Sequence, residues 1–483
     1  MDQDLDPVSA VLTWLEKFAA NTPLASAIAA DLGPVVVGWA VSEIVRESAA
    51  EALPRTTRPT KLLRRIGGAY SARNVRRARA IPTSTPAELL AVCLQSNSTR
   101  AFLPVAAELA AMGVRTRFLL DPTDGRSIKL MKEAGQAYDV IIEADGLSSV
   151  THVARLLANL KHLWSKPSLR ELCLALRLKP NPERLAALRS TMRYPAVSGA
   201  LIGEALWRAL SAHQTSGVLF VTKRALFNRL LPVACPSAKR IFFLQGVVPD
   251  IPPIRTDLDV DLAIAGSPID LPYLTRCKVP AERVALTGYP DYDHFHTLEK
   301  SACRAQYERA TGIDGQRPWI LFTSQYPTPV FGPAEREKNI ATVIQAAAAL
   351  PTLQFIVKLH PNKEKWTARA LPPNVIVEKS YDTPTLIKAA DVMVTYWSTT
   401  ALEALLLETP LIQLNATSLP DFLTFPAALR VPFARDATQL AELIRERLSH
   451  RNDEDVLHHL GIAMDGRAAR HAAESIRTLL KGS

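Results

Sequence analysis

The chain has 483 residues, 48% hydrophobic and 22% charged, enough apolar material to bury sizeable cores in two or three domains. Its formal net charge of +10 is concentrated: Arg55 to Ala80 holds nine Lys or Arg and no acid, which leaves the rest of the chain near neutrality. The five cysteines, Cys93, Cys173, Cys235, Cys277 and Cys303, are scattered without a CxxC pair; this argues against a disulfide framework or a zinc site and fits a reducing cytoplasm.

Residues 1–87 read as a helical N-terminal extension. It starts acidic, MDQDLD, without the basic start of a secretory signal. The apolar stretch from Leu24 is broken by Asp31, Gly33 and Pro34, too interrupted for a membrane span, and reads as a buried helical unit. The basic segment Arg55–Arg79 is of the kind that meets an anionic membrane surface, with a solvated basic linker as the alternative. No aromatic ladder or nucleic-acid-binding motif accompanies it, so nucleic acid is not an expected partner.

From Leu89 the texture changes to short apolar runs alternating with helix-period segments. LLAVCLQ, then SNSTRAFLPVAAELAAMG, then VRTRFLL reads as strand, helix, strand, a βαβ unit with parallel neighbours. Further strands are expected at 137–145, 217–223, 240–246, 261–266 and 283–288, with a long helical insertion at 151–213. Residues 88–295 thus form one Rossmann-like domain. The alternation restarts after GYPDYDHF, with strands at 319–324, 353–360, 374–379, 391–396 and 410–415, and gives a second such domain over 296–455. The fold class is α/β, two tandem doubly wound domains joined near Asp291–Arg304. The last helix, within 456–483, is long enough to pack across both.

In an open parallel sheet, ligands sit beyond the carboxyl ends of the strands, so the chemistry is sought there. The stretch DVMVTYWSTTALEALLLE ends a strand on Ser398, Thr399 and Thr400 and opens a helix with Glu403 in its first turn. Such a helix start offers N–H groups and hydroxyls to phosphate, and a carboxylate to ribose hydroxyls. The same letters also spell a capping box, a purely structural arrangement. FIVKLHPN exits a strand onto Lys358 and His360, where His360 can donate to phosphate or move a proton near neutral pH. TSQYPTP leaves the first strand of this domain and offers Ser324 and Gln325 to a ligand. In the first domain, Ser96, Asn97, Ser98 and Thr99 are all good N-caps, and Arg100 suits an anionic acceptor. The run TDLDVD resembles a metal-binding DxD but reads better as a solvated turn; no metal is called for. No GxGxxG fingerprint, P-loop or HExxH occurs.

Together, KLHPN, DTPTLIKAADVMVTYWSTTALEALLLETPLIQLN and the C-terminal DGRAARHAAESI resemble glycosyltransferases of the GT-B fold, specifically over residues 318–475 and more loosely over 88–295. Bacterial envelope-polymer enzymes, capsule-type glycosyltransferases and CDP-glycerol glycerophosphotransferases, are the most similar. The resemblance implies transfer of a sugar or polyol phosphate from a nucleotide-sugar or CDP-polyol donor to a glycan or lipid-linked acceptor, at the inner surface of the membrane. It implies that His360, Ser398, Thr399, Thr400 and Glu403 contact the donor's phosphates and ribose, with Lys358, Ser324 and Gln325 as further donor-side candidates from their strand ends, and that Gly288 and Asp293 lie in the hinge. Glycerophosphotransferases carry a His-Gly pair where this chain has Gln245-Gly246, and Gln cannot take a proton. The base would then be another residue, such as Asp250 or Asp145, or catalysis would be lost and the chain would act as a scaffold in polymer assembly. Nucleotide-sugar 2-epimerases share the fold and are the alternative activity.

Overall fold

A computed structural model of the chain describes residues 14, 87–121, 124–140, 165–176, 178–189, 215–221, 231, 236–246, 257–326, 331–360, 364, 366, 369–396, 398–419, 421, 430–449, 461 and 464–482. The basic segment Arg55–Arg79, most of the 151–213 insertion, Cys235, Asp145 and Asp250 lie outside these residues.

The first sheet holds seven parallel strands in the spatial order β3-β2-β1-β4-β5-β6-β7. These are β1 (Leu89–Cys93), β2 (Thr116–Leu120), β3 (Tyr138–Val140), β4 (Gly217–Phe220), β5 (Lys239–Phe243), β6 (Leu262–Ala265) and β7 (Val284–Leu286). Helices α1 (Ser96–Ala111), α2 (Gly125–Glu133), α3 (Lys166–Ala175) and α4 (Leu271–Arg276) connect or flank them. Strands buried on both faces need continuous apolar runs, and LLAVC of β1 is buried along its whole length. Phe102 on α1 meets Phe118 of β2 and Phe243 of β5 with ring centres 5.7 and 5.6 Å apart, which pins the helix over the sheet.

The second sheet has six parallel strands, in the order β10-β9-β8-β11-β12-β13. They are β8 (Trp319–Thr323), β9 (Gln354–Lys358), β10 (Val375–Glu378), β11 (Val392–Thr395), β12 (Leu411–Leu414) and the two-residue β13 (Phe433–Ala434), which the sequence patterning misses. Around them run α5 (Lys300–Thr311), α6 (Pro333–Ala348), α7 (Thr383–Ala389), α8 (Thr400–Leu406) and α9 (Ala437–Ser449). In each sheet the strand order reverses once, between β1 and β4 in the first and between β8 and β11 in the second. Each reversal leaves a crevice at the carboxyl ends.

A 3-10 segment, Pro290–Thr297, joins the sheets, and its Tyr292 and Phe295 are sunk among Tyr307, Trp319 and Leu402 of the second domain. The last helix, α10 (Ala468–Lys481), returns to the first domain. Its buried residues, Ala468, Ala469, Ala472, Ala473 and Ile476, recur at helical spacing, and all but Ala468 join the core formed by β1, α1 and β5. Small residues on that face let α10 lie close to its neighbours. Gly288 is part of the fit: its φ is +83°, and a Cβ there would stand 2.8 Å from the Cβ of Ala468. Asp293 caps the helix, its two carboxylate oxygens accepting from the N–H groups of Ala468 and Ala469, both at 2.9 Å. Gly288 and Asp293 thus dock the returning helix against the connection between the sheets.

The described cysteines, Cys93, Cys173, Cys277 and Cys303, are free and buried. Among the described residues no helix is long and apolar enough to cross a membrane.

Candidate functional site

The crevice of the second sheet is lined with hydroxyls. Thr323 ends β8 and Thr395 ends β11, paired directly across the strand-order reversal. The Thr323 hydroxyl donates to that of Thr395 at 2.7 Å and sits 3.0 Å from that of Thr400. Thr400 in turn donates to the Ser398 hydroxyl at 2.9 Å. Four side chains from β8, β11, the loop after β11 and α8 thereby form one polar floor where the two exit loops part.

The start of α8 differs from its sequence expectation in two respects. The Ser398 hydroxyl accepts from the Thr400 N–H at 3.3 Å, and the N–H groups of Ala401 and Leu402 bond the carbonyls of Ser398 and Thr399 at 3.0 Å. The first turn is wound tight, so these N–H groups already have partners instead of standing open to phosphate. Nor does Glu403 close a capping box on this seven-residue helix. Its carboxylate lies beside the hydroxyl of Tyr292 in the connecting segment. Thr399 is the exposed hydroxyl of the group.

Glu403 lies where the two domains meet. Arg100, in the first turns of α1, donates from Nε and Nη2 to the two oxygens of Asp291 at 2.9 and 2.8 Å, and its charge also reaches Glu403. Burial pushes the Glu403 carboxyl up to about 7, with Asp291 and Asp382 adding to the rise and Arg100 and the neighbouring Tyr292 hydroxyl holding it back. Burial also raises the Tyr292 phenol far above its usual range, Glu403 and Asp291 reinforcing it. Glu403 is therefore a carboxyl that changes charge near neutral pH beside one guanidinium. Sequence patterning finds Arg100 and Glu403 separately. It misses Asp291 and Tyr292, whose partners are distant in sequence.

The exit loops of β8 and β9 are tied together by a residue the sequence does not single out. Glu364, fully buried, accepts from the Ser324 hydroxyl and Arg336 Nε, both at 2.5 Å, and from the His360 N–H at 2.7 Å. The His360 ring stacks edge-on against Tyr326, centres 4.9 Å apart, with Gln325 beside them half-buried. β9 ends at Lys358, and the buried ammonium turns to the carbonyl of Lys379 at 2.7 Å. Burial lowers the Lys358 pKa, opposed by Glu378, Asp382 and Glu364. Its ammonium is thus bonded within the protein at the end of β9.

On the first-domain side, Ser96 and Asn97 lie within α1 rather than capping it. The cap position is Gln95, in extended conformation and without a side-chain cap bond. Ser98 donates to Gln245 Oε1 at 3.4 Å, and Thr99 turns inward to Ser127 at 2.9 Å. The four-residue cap expectation fails because the helix starts one turn earlier than the buried hydroxyls require. Gln245 and Gly246, φ +60°, follow β5 and come up to the second domain: a Cβ on Gly246 would stand 3.9 Å from the Thr399 methyl. Between Gln245, Tyr289 and Asp291 remains a cavity of about 20 Å³, the room of one water. The TDLDVD acids are engaged at the surface, Asp259 with Arg240, Asp257 with Lys278, and Asp261 with the Arg240 N–H at 2.7 Å.

The carboxyl ends of two doubly wound sheets therefore meet across one cleft, and solved structures share this layout. UDP-GlcNAc 2-epimerase from Neisseria meningitidis, bound to UDP-GlcNAc, superposes with a TM-score of 0.50 at 14% identity, covering 81% of this chain and 99% of that one. The calicheamicin glycosyltransferase CalG4 gives 0.49 at 14% identity over 82% and 99%. The wall teichoic acid polymerase TagF gives 0.48 at 10% identity over 88% and 97%. No family model matches the chain, and no curated protein matches it by sequence. The chain has the GT-B-like fold of two Rossmann-like domains.

Proposed function

We propose that the chain is a nucleotide-sugar-dependent transferase of the cell envelope. It moves a sugar or a polyol phosphate from a nucleotide diphosphate donor, held by the second domain, to a glycan or lipid-linked hydroxyl held by the first. The observation that carries this reading is the approach of Thr399, at the second sheet's crevice, to Gly246, at the first sheet's carboxyl end. A two-substrate reaction needs its sites at that kind of junction. The Neisseria structure, with its bound UDP-GlcNAc, supports a uridine diphosphate donor. In the proposed reaction an acceptor oxygen attacks the activated carbon or phosphorus, and the bond to the donor's leaving phosphate breaks as the new one forms. His360 and the exposed Thr399 hydroxyl stabilise the departing phosphate charge. The acceptor proton passes to a carboxylate, for which Asp250 and Asp145 are the candidates. Arg55–Arg79 would hold the enzyme at an anionic membrane surface, on the cytoplasmic side.

A thermal-shift panel with CMP, CDP, UMP, UDP, GDP and their sugar or glycerol conjugates tests the reading. One nucleotide should stabilise the chain, and the shift should vanish in Glu403→Ala. NMR of the stabilising conjugate without acceptor then separates the activities: an epimerised sugar would replace the transferase reading. A second reading, a non-catalytic scaffold, is favoured by Gln245, whose amide is engaged with Ser98 and cannot act as a base. A flat panel in well-folded protein would support it. Co-sedimentation with anionic liposomes, lost when Arg55–Arg79 is neutralised, tests the membrane contact.

A further inference from the structure

Glu364 holds three donors from three separate segments. Oε1 accepts from Ser324 in the loop after β8 and from Arg336 on α6, and Oε2 accepts from the N–H of His360 in the loop after β9. Its side chain is about 1% exposed and that of Arg336 6%. The charges continue outward in alternation: Arg336 also pairs with Glu337, and Glu337 with Arg369. Removing charges from water is costly, and apolar residues of similar volume often stabilise a fold as well. An apolar residue cannot fix three hydrogen-bonded segments in one geometry, whereas a fully satisfied buried carboxylate does.

We infer that Glu364 is the positioning residue of the donor-side mouth: its buried carboxylate locks the exit loops of β8 and β9 to each other, and so sets where Ser324 and His360 stand toward a nucleotide diphosphate. This rests on the donor reading of the second domain given above. The chemistry of the clamp is specific to a carboxylate. A glutamine has one accepting oxygen and one donating amide, so among three donors at least one arm meets donor to donor. Arg336 keeps Glu337 as a partner when Glu364 is neutral, so the damage falls on the loops.

The test compares Glu364→Gln with Glu337→Gln, which disturbs the same charge chain away from the mouth. Two quantities are read in each: the NMR signal and pKa of the His360 ring, assigned by its loss in His360→Asn, and UDP affinity by calorimetry. The expected result is a displaced His360 signal and UDP binding weakened tenfold or more in Glu364→Gln. Glu337→Gln should match wild type in both at a comparable loss of Tm, and Glu364→Asp should recover part of the affinity. Wild-type values in Glu364→Gln, or an equal loss of affinity in Glu337→Gln, would overturn the inference. If wild type does not bind UDP, the donor reading fails, and the His360 signal alone decides: unmoved in Glu364→Gln, it overturns the clamp; displaced, it upholds it. Where Glu364→Gln does not fold, Glu364→Asp carries the same readouts, with an intermediate displacement expected.

Discussion

The two mouths that face the cleft are built on the same strand order and with opposite means. The second-domain mouth is held by charge and hydroxyls sunk into the protein: Glu364 with Arg336, and the Thr323, Thr395, Thr400 and Ser398 chain. The first-domain mouth carries a mostly exposed Arg100 and a half-buried Gln245 on a single 3.4 Å bond from Ser98. A polar group that must keep one geometry is buried and fully bonded, and one that must adapt is left near water. Under the proposed function, the contrast corresponds to a preorganised donor side and an adaptable acceptor side.

The contrast is open to direct attack. The largest effect is expected from Glu364→Ala, which takes three bonds from the second mouth and removes the buried carboxylate that faces Arg336. It should cost about 4 kcal/mol in denaturant unfolding. A loss below about 1 kcal/mol would show that the second mouth is no more rigid than the first.

Glu403 belongs to the boundary between the mouths and gives a pH test. Its folded-state pKa, about 7, lies above the ordinary 4.5, so folding favours the neutral acid. That contribution is whole below about pH 4.5 and is lost as pH rises through about 7. Glu403→Gln should then match wild type at pH 4.5 and exceed its stability at pH 8 by up to about 3 kcal/mol. Equal pH profiles would contradict the placement of Glu403 against Tyr292 and Asp291. In Arg100→Ala the Glu403 titration, followed by carboxyl infrared bands, should move upward, since Arg100 holds it down.

Gly288→Ala tests the joint behind both mouths. It forces a non-glycine residue to φ +83° and sets a methyl 2.8 Å from Ala468, so it should cost about 2 kcal/mol and loosen α10 in hydrogen exchange. Smallest is Ser98→Ala, which removes only the 3.4 Å bond to Gln245 and should change stability by less than about 0.5 kcal/mol. A cost near that of Glu364→Ala would erase the difference between the mouths.

Much of the fold was legible because parallel strands buried on both faces must be short apolar runs, and VMVT, FIVK and LLAVC are such runs. β13 was not, because two residues, Phe433 and Ala434, carry no period. The site was legible where strand ends present hydroxyls, His360 or Glu403, and illegible where a role depends on a distant partner. Nothing local marks Glu364 as the acceptor for Ser324 and Arg336, although its place four residues after His360 is a usable signal. Tyr292 hid in the same way, its place beside Glu403 set by a neighbour distant in sequence. Lys358 was legible as a cation at a strand end, but its bond to the carbonyl of Lys379, distant in sequence, was not.

The central claim is that a donor nucleotide is held at the strand-order reversal of the second sheet. Methyl NMR of threonine- and isoleucine-labelled protein titrated with UDP tests it most directly. The account predicts displaced methyl signals for Thr323, Thr395, Thr399 and Thr400, with Ile241 and Ile264 of the first sheet unmoved. Displacements confined to the first sheet, or none at saturating UDP, would contradict it.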